Sequence, residues 1–232
     1  MAINNTLVAR KTEEAVVFNA GGKEVKLSPE IVKRYLVSGD PNAVTAEEVQ
    51  MFIELCKFNQ LNPWLKEAYL IKFGGNPATL VVGKEAYMKR AEAHEMFDGC
   101  ESGVIVLTID NQITYRVGTV ILEGEKIIGG WAEVYRKDRN HSTRNEVSFR
   151  EYAGFTKDGK LNRQWASKPA TMIRKVALVQ ALREAFPSTY GAMYTAEEQG
   201  YNEEETAVKE IPQQEEPKVV VPAEPADDDL PL

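Results

Sequence analysis

The apolar positions of this chain follow a helical period in four stretches. Ser28-Pro29-Glu30 is typical of a helix start, because it supplies a capping hydroxyl and then a proline that suits the first helical turn. A second helix is expected from the capping box that Thr45 and Glu48 form. Its apolar side consists of Val49, Phe52, Ile53 and Cys56. Two further helices are predicted over 84–96 and from about 167 to 186, the last with Met172, Val176, Val179 and Phe186 as its buried stripe.

Runs rich in β-branched residues predict five strands. Two of them flank a hairpin loop at 74–77, and three more, separated by short polar turns, are predicted to form an antiparallel meander. The expected ranges are 68–73, 79–82, 104–109, 113–122 and 127–135. Residues 1–27 carry only a weak pattern, and 136–168 are polar and predicted to be rich in loops. The chain is therefore expected to be an α+β protein, with an antiparallel β-sheet packed by helices and a helical N-terminal part.

Charge divides the chain into two unequal parts. The net charge is −7, but residues 196–232 hold twelve acidic residues and two lysines, whereas 1–195 holds 26 basic and 23 acidic residues. Beyond Glu197 the composition is dominated by Glu, Pro and Gln, which bury too little apolar area to offset the entropy of an ordered chain. We therefore expect a mildly basic folded domain over 1–195 and a disordered acidic tail over 196–232.

Composition also argues against several classes of protein. Two cysteines, Cys56 and Cys100, are too few for a disulfide framework or a zinc site, which favours a reducing cytoplasmic compartment. No apolar run approaches the ~18 residues of a membrane span, and the first residues lack the pattern of a signal peptide. A nucleoside triphosphate loop is not expected, because Gly83-Lys84 lacks the upstream glycine and Glu85 stands where the hydroxyl should be. We expect no cofactor and no bound metal ion.

The strongest chemical signal is a basic stretch at 136–175. It contains eleven basic and four acidic residues, and aromatic residues lie in or beside it at Tyr135, Phe149, Tyr152, Phe155 and Trp165. Basic side chains neutralise phosphates and aromatic rings stack on bases, so this mixture suits a groove for single-stranded or distorted nucleic acid. A solvated basic loop whose aromatic side chains pack inward explains the composition equally well.

Asp138 raises a different possibility, a metal-dependent nuclease. An aspartate placed between Lys137 and Arg139 is, however, more commonly a charge partner of its neighbours. The two histidines, His94 and His141, are far apart in sequence and have no serine or cysteine constellation around them. We therefore treat nuclease activity as the weaker alternative.

Four segments carry a family resemblance. They are NQLNPWLKEAYLIKF (59–73), FDG (97–99) ahead of the predicted sheet, VYRKDRNH (134–141) and QWASKPATMIRKVALVQALREAF (164–186). Together they span roughly 59–190 and occur in the expected order. They resemble segments of the phage Bet/RecT superfamily of single-strand annealing recombinases, in particular its lambda Bet branch.

The resemblance implies an ATP-independent protein, not an enzyme, that binds single-stranded DNA and anneals complementary strands in homologous recombination. It implies DNA lying in a basic groove, self-assembly into rings or filaments, and action in the cytoplasm of a bacterial host cell, without contact to a membrane. A passive single-strand binder that coats strands without pairing them is the alternative. A phage exonuclease is a candidate partner. Lambda-type members bind the exonuclease and the host single-strand-binding protein through a folded C-terminal module. The corresponding segment here is short and low in complexity, so the contacts of that module are not carried over.

Carried over position by position, seven cations are expected to meet phosphate: Lys66, Arg136, Lys137, Arg139, Lys168, Arg174 and Lys175. Trp165 is expected either to stack on a base or to fill the core. Pro63 and Trp64 are expected to be structural, forming a rigid turn whose indole covers the sheet, and Asn62 is expected to cap this turn.

The last residues, Asp227, Asp228, Asp229, Leu230, Pro231 and Leu232, form an acidic run with a short apolar end. This end resembles the tip of bacterial single-strand-binding proteins, although that tip normally ends in Phe. Such a tip suits a small apolar pocket rimmed by Lys or Arg. We consider two hypotheses: the tip docks on host proteins that recognise the authentic one, or it folds back over the basic groove and competes with DNA. A solubilising tail without a partner is the simpler alternative.

Overall fold

The computed structural model describes residues 15–72, 75–156, 158–191 and 193–200. Its strands are β1 Val16–Ala20, β2 Lys23–Leu27, β3 Val37–Gly39, β4 Ala68–Lys72, β5 Thr79–Val82, β6 Phe97–Leu107, β7 Ile113–Val117, β8 Lys126–Arg136 and β9 Thr143–Ser148. Its α-helices are α1 Pro29–Ile31, α2 Ala46–Phe58, α3 Lys84–Ala93, α4 Phe149–Tyr152, α5 Arg163–Ser167 and α6 Pro169–Ala185. The described strands form sheets of two, three and four strands, and the predicted α+β class is confirmed.

A β-hairpin lies in the stretch for which the sequence pattern predicted no element. β1 and β2 pair antiparallel, with Phe18 opposite Val25. Gly21 and Gly22 have φ angles of 60° and 78°, which a tight two-residue hairpin turn requires and which residues with a Cβ rarely adopt. The predicted first helix is short, because α1 passes directly into a π-helical turn at Val32–Leu36. The N-terminal part is thus a mixture of strand and helix.

The three-stranded sheet has the order β3-β4-β5. β3 pairs parallel with β4, and α2 supplies the crossover, while β4 and β5 form the predicted antiparallel hairpin. α2 begins with the predicted capping box: the Glu48 backbone N–H donates to Thr45 Oγ1 (3.2 Å), and the Thr45 N–H donates to the Glu48 carboxylate (2.9 Å). The predicted apolar side of α2 is buried. Burial also raises the pKa of the Cys56 thiol, as expected for a core residue.

The four-stranded sheet has the order β7-β6-β8-β9, and each neighbouring pair is antiparallel. The predicted meander is therefore wrong in its order, because β6 lies between β7 and β8. β6 extends over eleven residues and begins at Phe97, so the FDG segment lies inside the strand and not ahead of it. β9 falls in the stretch predicted to be rich in loops. It is an edge strand with one buried apolar residue, Val147, and its pattern is correspondingly weak.

α6 covers one face of this sheet. The predicted stripe is buried, and so are residues on other sides of the helix, among them Ala177 and Leu182. The helix approaches the sheet backbone closely at Gly130, where a Cβ would lie 2.6 Å from the carbonyl oxygen of Ile173. A glycine is thus required in β8 for helix and sheet to pack at this distance.

The segment that follows α6 packs back onto the body. The Tyr190 hydroxyl donates to the carbonyl of Tyr87 in α3 (2.8 Å), and the two rings stack at 5.3 Å. Ala196 and Glu197 are buried, so the predicted boundary after residue 195 falls inside a packed segment. The remainder of the predicted tail, 201–232, lies outside the described residues. Within the part of the chain that the structure describes, no helix is long and apolar enough to cross a bilayer.

Candidate nucleic-acid interface

Arg136, at the end of β8, is held by contacts inside the protein. Its guanidinium donates to the Asp138 carboxylate (2.8 and 2.7 Å) and to the carbonyl oxygen of Ala185, and it lies 4.5 Å from the ring centroid of Phe186. The hydrogen bond from Arg136 holds the pKa of Asp138 below its usual range. The charge of Arg136 is thus directed at the C-terminal end of α6, where it complements the helix dipole. Asp138 is its charge partner, which agrees with the simpler of the two interpretations of that residue.

Lys137 and Arg139, by contrast, project from the turn that Arg136 and Asp138 fix. The Lys137 backbone N–H donates to Met96 (3.0 Å) and that of Arg139 to Arg136 (3.2 Å), so the backbone here is ordered while both side chains are exposed. Neither side chain is within salt-bridge distance of a carboxylate of the described residues. These two cations therefore have the exposure that phosphate contact requires.

The cations of α6 differ in the same way. Lys168 precedes the first turn and is exposed. Arg174 donates from Nε to the Ser102 hydroxyl (2.9 Å) and carbonyl (3.3 Å). Lys175 donates to the buried Glu197 carboxylate (2.8 Å). Arg174 and Lys175 thus have acceptors inside the fold, and their contact with phosphate remains a prediction.

Of the two alternatives for Trp165, the structure shows the core position. Its side chain is 2% exposed and packs edge-on against Phe149, with centroids 5.5 Å apart. Asn162 caps α5 and fixes this placement, because its side-chain oxygen accepts a hydrogen bond from the Trp165 backbone N–H (3.0 Å). A buried ring has no face for a base, so Trp165 is corrected to a core residue. Phe155 is the aromatic of the basic stretch that is largely exposed, at 51%.

Lys66 follows the turn of the NPW motif. As predicted, Asn62 caps this turn, because its side-chain oxygen accepts a hydrogen bond from the Trp64 backbone N–H (3.0 Å). Pro63 is buried and Trp64 packs partly buried against the core. Lys66 adopts a left-handed backbone with φ of 59°, and its side chain is exposed. The motif thus combines a rigid turn with one accessible cation.

The predicted cations do not lie together at one place. Lys168 and Arg136 are near opposite ends of α6, whose 17 residues span about 25 Å. The Lys168 end has further exposed cations that sequence reasoning did not single out, Lys126, Arg150 and Lys160. Lys126 and Arg150 border a cleft of ≈860 Å³ beside Pro169. Sheet topology brings these cations to the same end of α6, and no motif in the sequence predicts this placement.

The sheet face opposite α6 carries a different cluster. The Arg144 guanidinium lies 4.9 Å from the Tyr115 ring centroid and 5.1 Å from that of Trp131. It also pairs with Glu146 (3.0 Å) and Glu133 (3.6 Å). With two carboxylates beside one guanidinium, this face is poorly suited to a phosphate backbone.

The six tip residues, 227–232, lie outside the described residues, and both hypotheses about them remain predictions. A phage exonuclease as a partner of this chain likewise remains a prediction.

Comparison with known proteins agrees with the motifs. The model of the RecT family matches residues 23–212. Recombination protein Bet of Escherichia phage lambda is 30% identical over 148 residues, which cover 61% of this chain and 48% of the lambda protein. An uncharacterized protein of Ureaplasma parvum serovar 3 is 29% identical over 152 residues, covering 62% of this chain and 56% of that protein. The chain thus spans about half the length of these two curated relatives.

The family match extends from β2 through α6 and includes the NPW turn, the end of β8 and the segment packed behind α6. It covers most of the chain, and therefore this chain belongs to the RecT family.

Proposed function

We propose that this chain binds single-stranded DNA and anneals complementary strands without ATP, as part of phage-type homologous recombination. Membership of the RecT family carries the proposal, and the lambda relative, a recombination protein by name, points the same way. The exposed cations at the two ends of α6 supply the electrostatic part. We propose Lys66, Lys137, Arg139 and Lys168 as phosphate contacts, and Phe155 in place of Trp165 as a residue that stacks on a base.

Annealing is tested with two complementary oligonucleotides, one labelled with a fluorophore and the other with a quencher. We expect the full chain to accelerate pairing equally with and without ATP, and equally with and without a chelator. Coating of strands without faster pairing would support the passive binder, and chelator-sensitive cleavage would support the nuclease. Lys137→Ala combined with Arg139→Ala should slow annealing, whereas Lys26→Ala, an exposed cation on the N-terminal hairpin, is the matched control.

We further propose that copies of the chain assemble through β7. This edge strand pairs with β6 alone among the described strands, and its outward positions are apolar: Ile113, Tyr115 and Val117 are 61%, 46% and 70% exposed. Ile109, Val120 and Leu122 add exposed apolar side chains next to it. Exposed apolar edge strands are templates for pairing with another chain.

A second copy fits this edge better than a polar partner. If two β7 strands pair antiparallel about Tyr115, Ile113 of each lies opposite Val117 of the other, and Arg116 lies opposite Thr114. Apolar side chains then meet, and no two like charges face each other. The other edge strand, β9, presents Arg144 and Glu146 and offers no such match.

Light scattering with and without DNA tests this assembly. Ile113→Lys with Val117→Lys should reduce the mass of the oligomer and slow the annealing of long strands. Val17→Lys, at a half-exposed apolar position of β1, is the matched control. A wild-type chain that stays monomeric with and without DNA and still anneals fully would refute self-assembly as a requirement.

A further inference from the structure

A pocket of ≈490 Å³ lies between the end of α2, α3 and the segment behind α6. One wall comes from the family motif at 59–73, which contributes Asn59, Gln60, Leu61 and Glu67. The volume lies in the range of small-molecule sites. The motif thus builds a concave surface as well as the NPW turn. None of the residues that line this pocket belongs to the basic stretch at 136–175.

The motif wall depends on how α2 ends. The Gln60 N–H donates to Lys57 (3.2 Å) and the Leu61 N–H to Cys56 (2.8 Å), which is the hydrogen-bond pattern of a Schellman cap. Gln60 occupies the left-handed position, with φ of 46°, where glycine is the usual residue. This cap turns Leu61 into the core and places the polar residues before it at the pocket. A residue with a side chain at this position carries backbone strain, and such strain clusters at functional sites.

At the rim of the pocket stands an exposed aromatic ring. Phe58, the last residue of α2, is 85% exposed, the largest value among the exposed large hydrophobic side chains of the described residues. Leu61 and Ala86, both buried, also contribute to the lining. A flat apolar ring at the edge of a mainly apolar pocket suits an aromatic ligand.

Two cations face the same space. Arg90, half-buried, donates from Nη1 to the carbonyl of Thr189 (2.9 Å), and no carboxylate of the described residues lies within salt-bridge distance of it. Burial lowers the pKa of Arg90, which reflects a guanidinium that has lost hydration. Lys89 pairs with Glu67 (2.7 Å), so this pair is neutral and Arg90 leaves the lining with a net positive charge. His94 adds a ring whose Nδ1 accepts from the Met96 N–H (3.1 Å).

We propose that this pocket takes one nucleotide of a DNA single strand, with the base against Phe58 and a phosphate at Arg90. An aromatic ring and a guanidinium without a carboxylate partner among the described residues line the same pocket, and they match the two halves of a nucleotide. The pocket also borders the exposed cations at the end of β8, because the His94 ring packs on Phe186 (4.4 Å), over which Arg136 lies. A strand that follows Lys137 and Arg139 can therefore enter the pocket.

The pocket proposal rests on single-strand binding as the proposed function. A tryptophan probe tests the pocket separately from DNA binding as such. Phe58→Trp places an indole at the pocket, and Met51→Trp places one on the same helix at a position 66% exposed and outside the pocket lining. Each variant is titrated with oligothymidylate and with an abasic oligonucleotide of equal length. We expect quenching at position 58 by oligothymidylate, weaker quenching by the abasic strand, and little change at position 51.

Affinity supplies the second measurement. Phe58→Ala should weaken binding of a short oligothymidylate about 5- to 140-fold, from the loss of one base–ring stack. Its melting temperature should be unchanged, because the ring is exposed. Arg90→Gln should reduce the slope of log affinity against log salt by about 0.7, and Arg90→Lys should restore it.

The outcomes are distinguishable. If the wild-type chain binds no oligonucleotide, the proposed function fails. If it binds DNA while Phe58→Ala retains full affinity, or while the abasic strand quenches the tryptophan at position 58 as strongly as oligothymidylate does, the pocket proposal alone is overturned.

Discussion

The neighbours Arg136 and Lys137 are expected to have opposite roles, and substituting each by alanine tests this directly. Arg136→Ala should lower stability and affect DNA binding little beyond that. Lys137→Ala should weaken DNA binding and leave stability unchanged. The sequence alone placed both residues in one class, as phosphate contacts. Their side chains differ in the structure, because Arg136 turns inward to the end of α6 while Lys137 points to solvent.

The size of the Arg136 effect follows from its contacts. The charged hydrogen bond to the C-terminal carbonyl of α6 contributes about 0.3–1 kcal/mol, and the contact over the Phe186 ring about 1 kcal/mol. The pair with Asp138 adds little, since that carboxylate is 42% exposed. A loss of about 1.3–2 kcal/mol lowers the melting temperature of a domain of this size by about 3–8 °C.

For Lys137 the expected change is in salt dependence. Each phosphate contact on a single strand contributes about 0.7 to the slope of log affinity against log salt. Lys137→Ala should therefore reduce this slope by about 0.7, and an exposed substitution of this kind should change stability by less than about 0.5 kcal/mol.

Thermal unfolding by circular dichroism and oligonucleotide binding by fluorescence anisotropy at four salt concentrations measure both quantities. Arg136→Lys is a useful addition, because it retains the charge but loses the planar fork that meets Asp138 and Ala185 together. An unchanged melting temperature for Arg136→Ala, together with a flatter salt dependence, would show that Arg136 binds phosphate and that the inward placement is wrong.

Three further predictions follow from burial, from a shifted pKa and from the tail. Trp165→Ala should destabilise the chain by about 3–5 kcal/mol in urea unfolding, because it empties a core position; a loss of DNA affinity at full stability would contradict this. The hydrogen bond from Lys72 is the main cause that lowers the pKa of Glu48 from 4.5 to about 2. The stabilisation that Glu48 provides is therefore present above pH 4.5 and lost as the pH falls toward 2, so Glu48→Gln should flatten the dependence of stability on pH over that interval. Deleting 227–232 should leave or raise DNA affinity, whereas Leu232→Ala should abolish docking on proteins that bind the authentic single-strand-binding tip and hardly alter DNA binding. If a peptide of the last ten residues binds none of those proteins, the docking hypothesis is wrong.

Local signals in the sequence determined the elements whose stability is local. The capping box of α2, its apolar side, the cap by Asn62 and the buried stripe of α6 all depend on residues within a few positions of one another. Their geometry is fixed by hydrogen bonds at helix ends and by a period of 3.6 residues, both of which can be predicted from a single chain. The motifs of 59–186 were likewise sufficient to predict the family.

The tertiary structure alone decided which cations are accessible. Arg136, Arg174 and Lys175 resemble Lys137, Arg139 and Lys168 in sequence. The acceptors that hold the first three are the carbonyl of Ala185, the hydroxyl of Ser102 and the carboxylate of Glu197. All three acceptors lie between 22 and 72 residues along the chain from the cation they hold, and Glu197 belongs to the predicted tail. Local patterns carry no information about such pairs. For the same reason the order β7-β6-β8-β9 was not predicted, since long-range pairing selects the neighbours of a strand while alternation only shows that a strand exists.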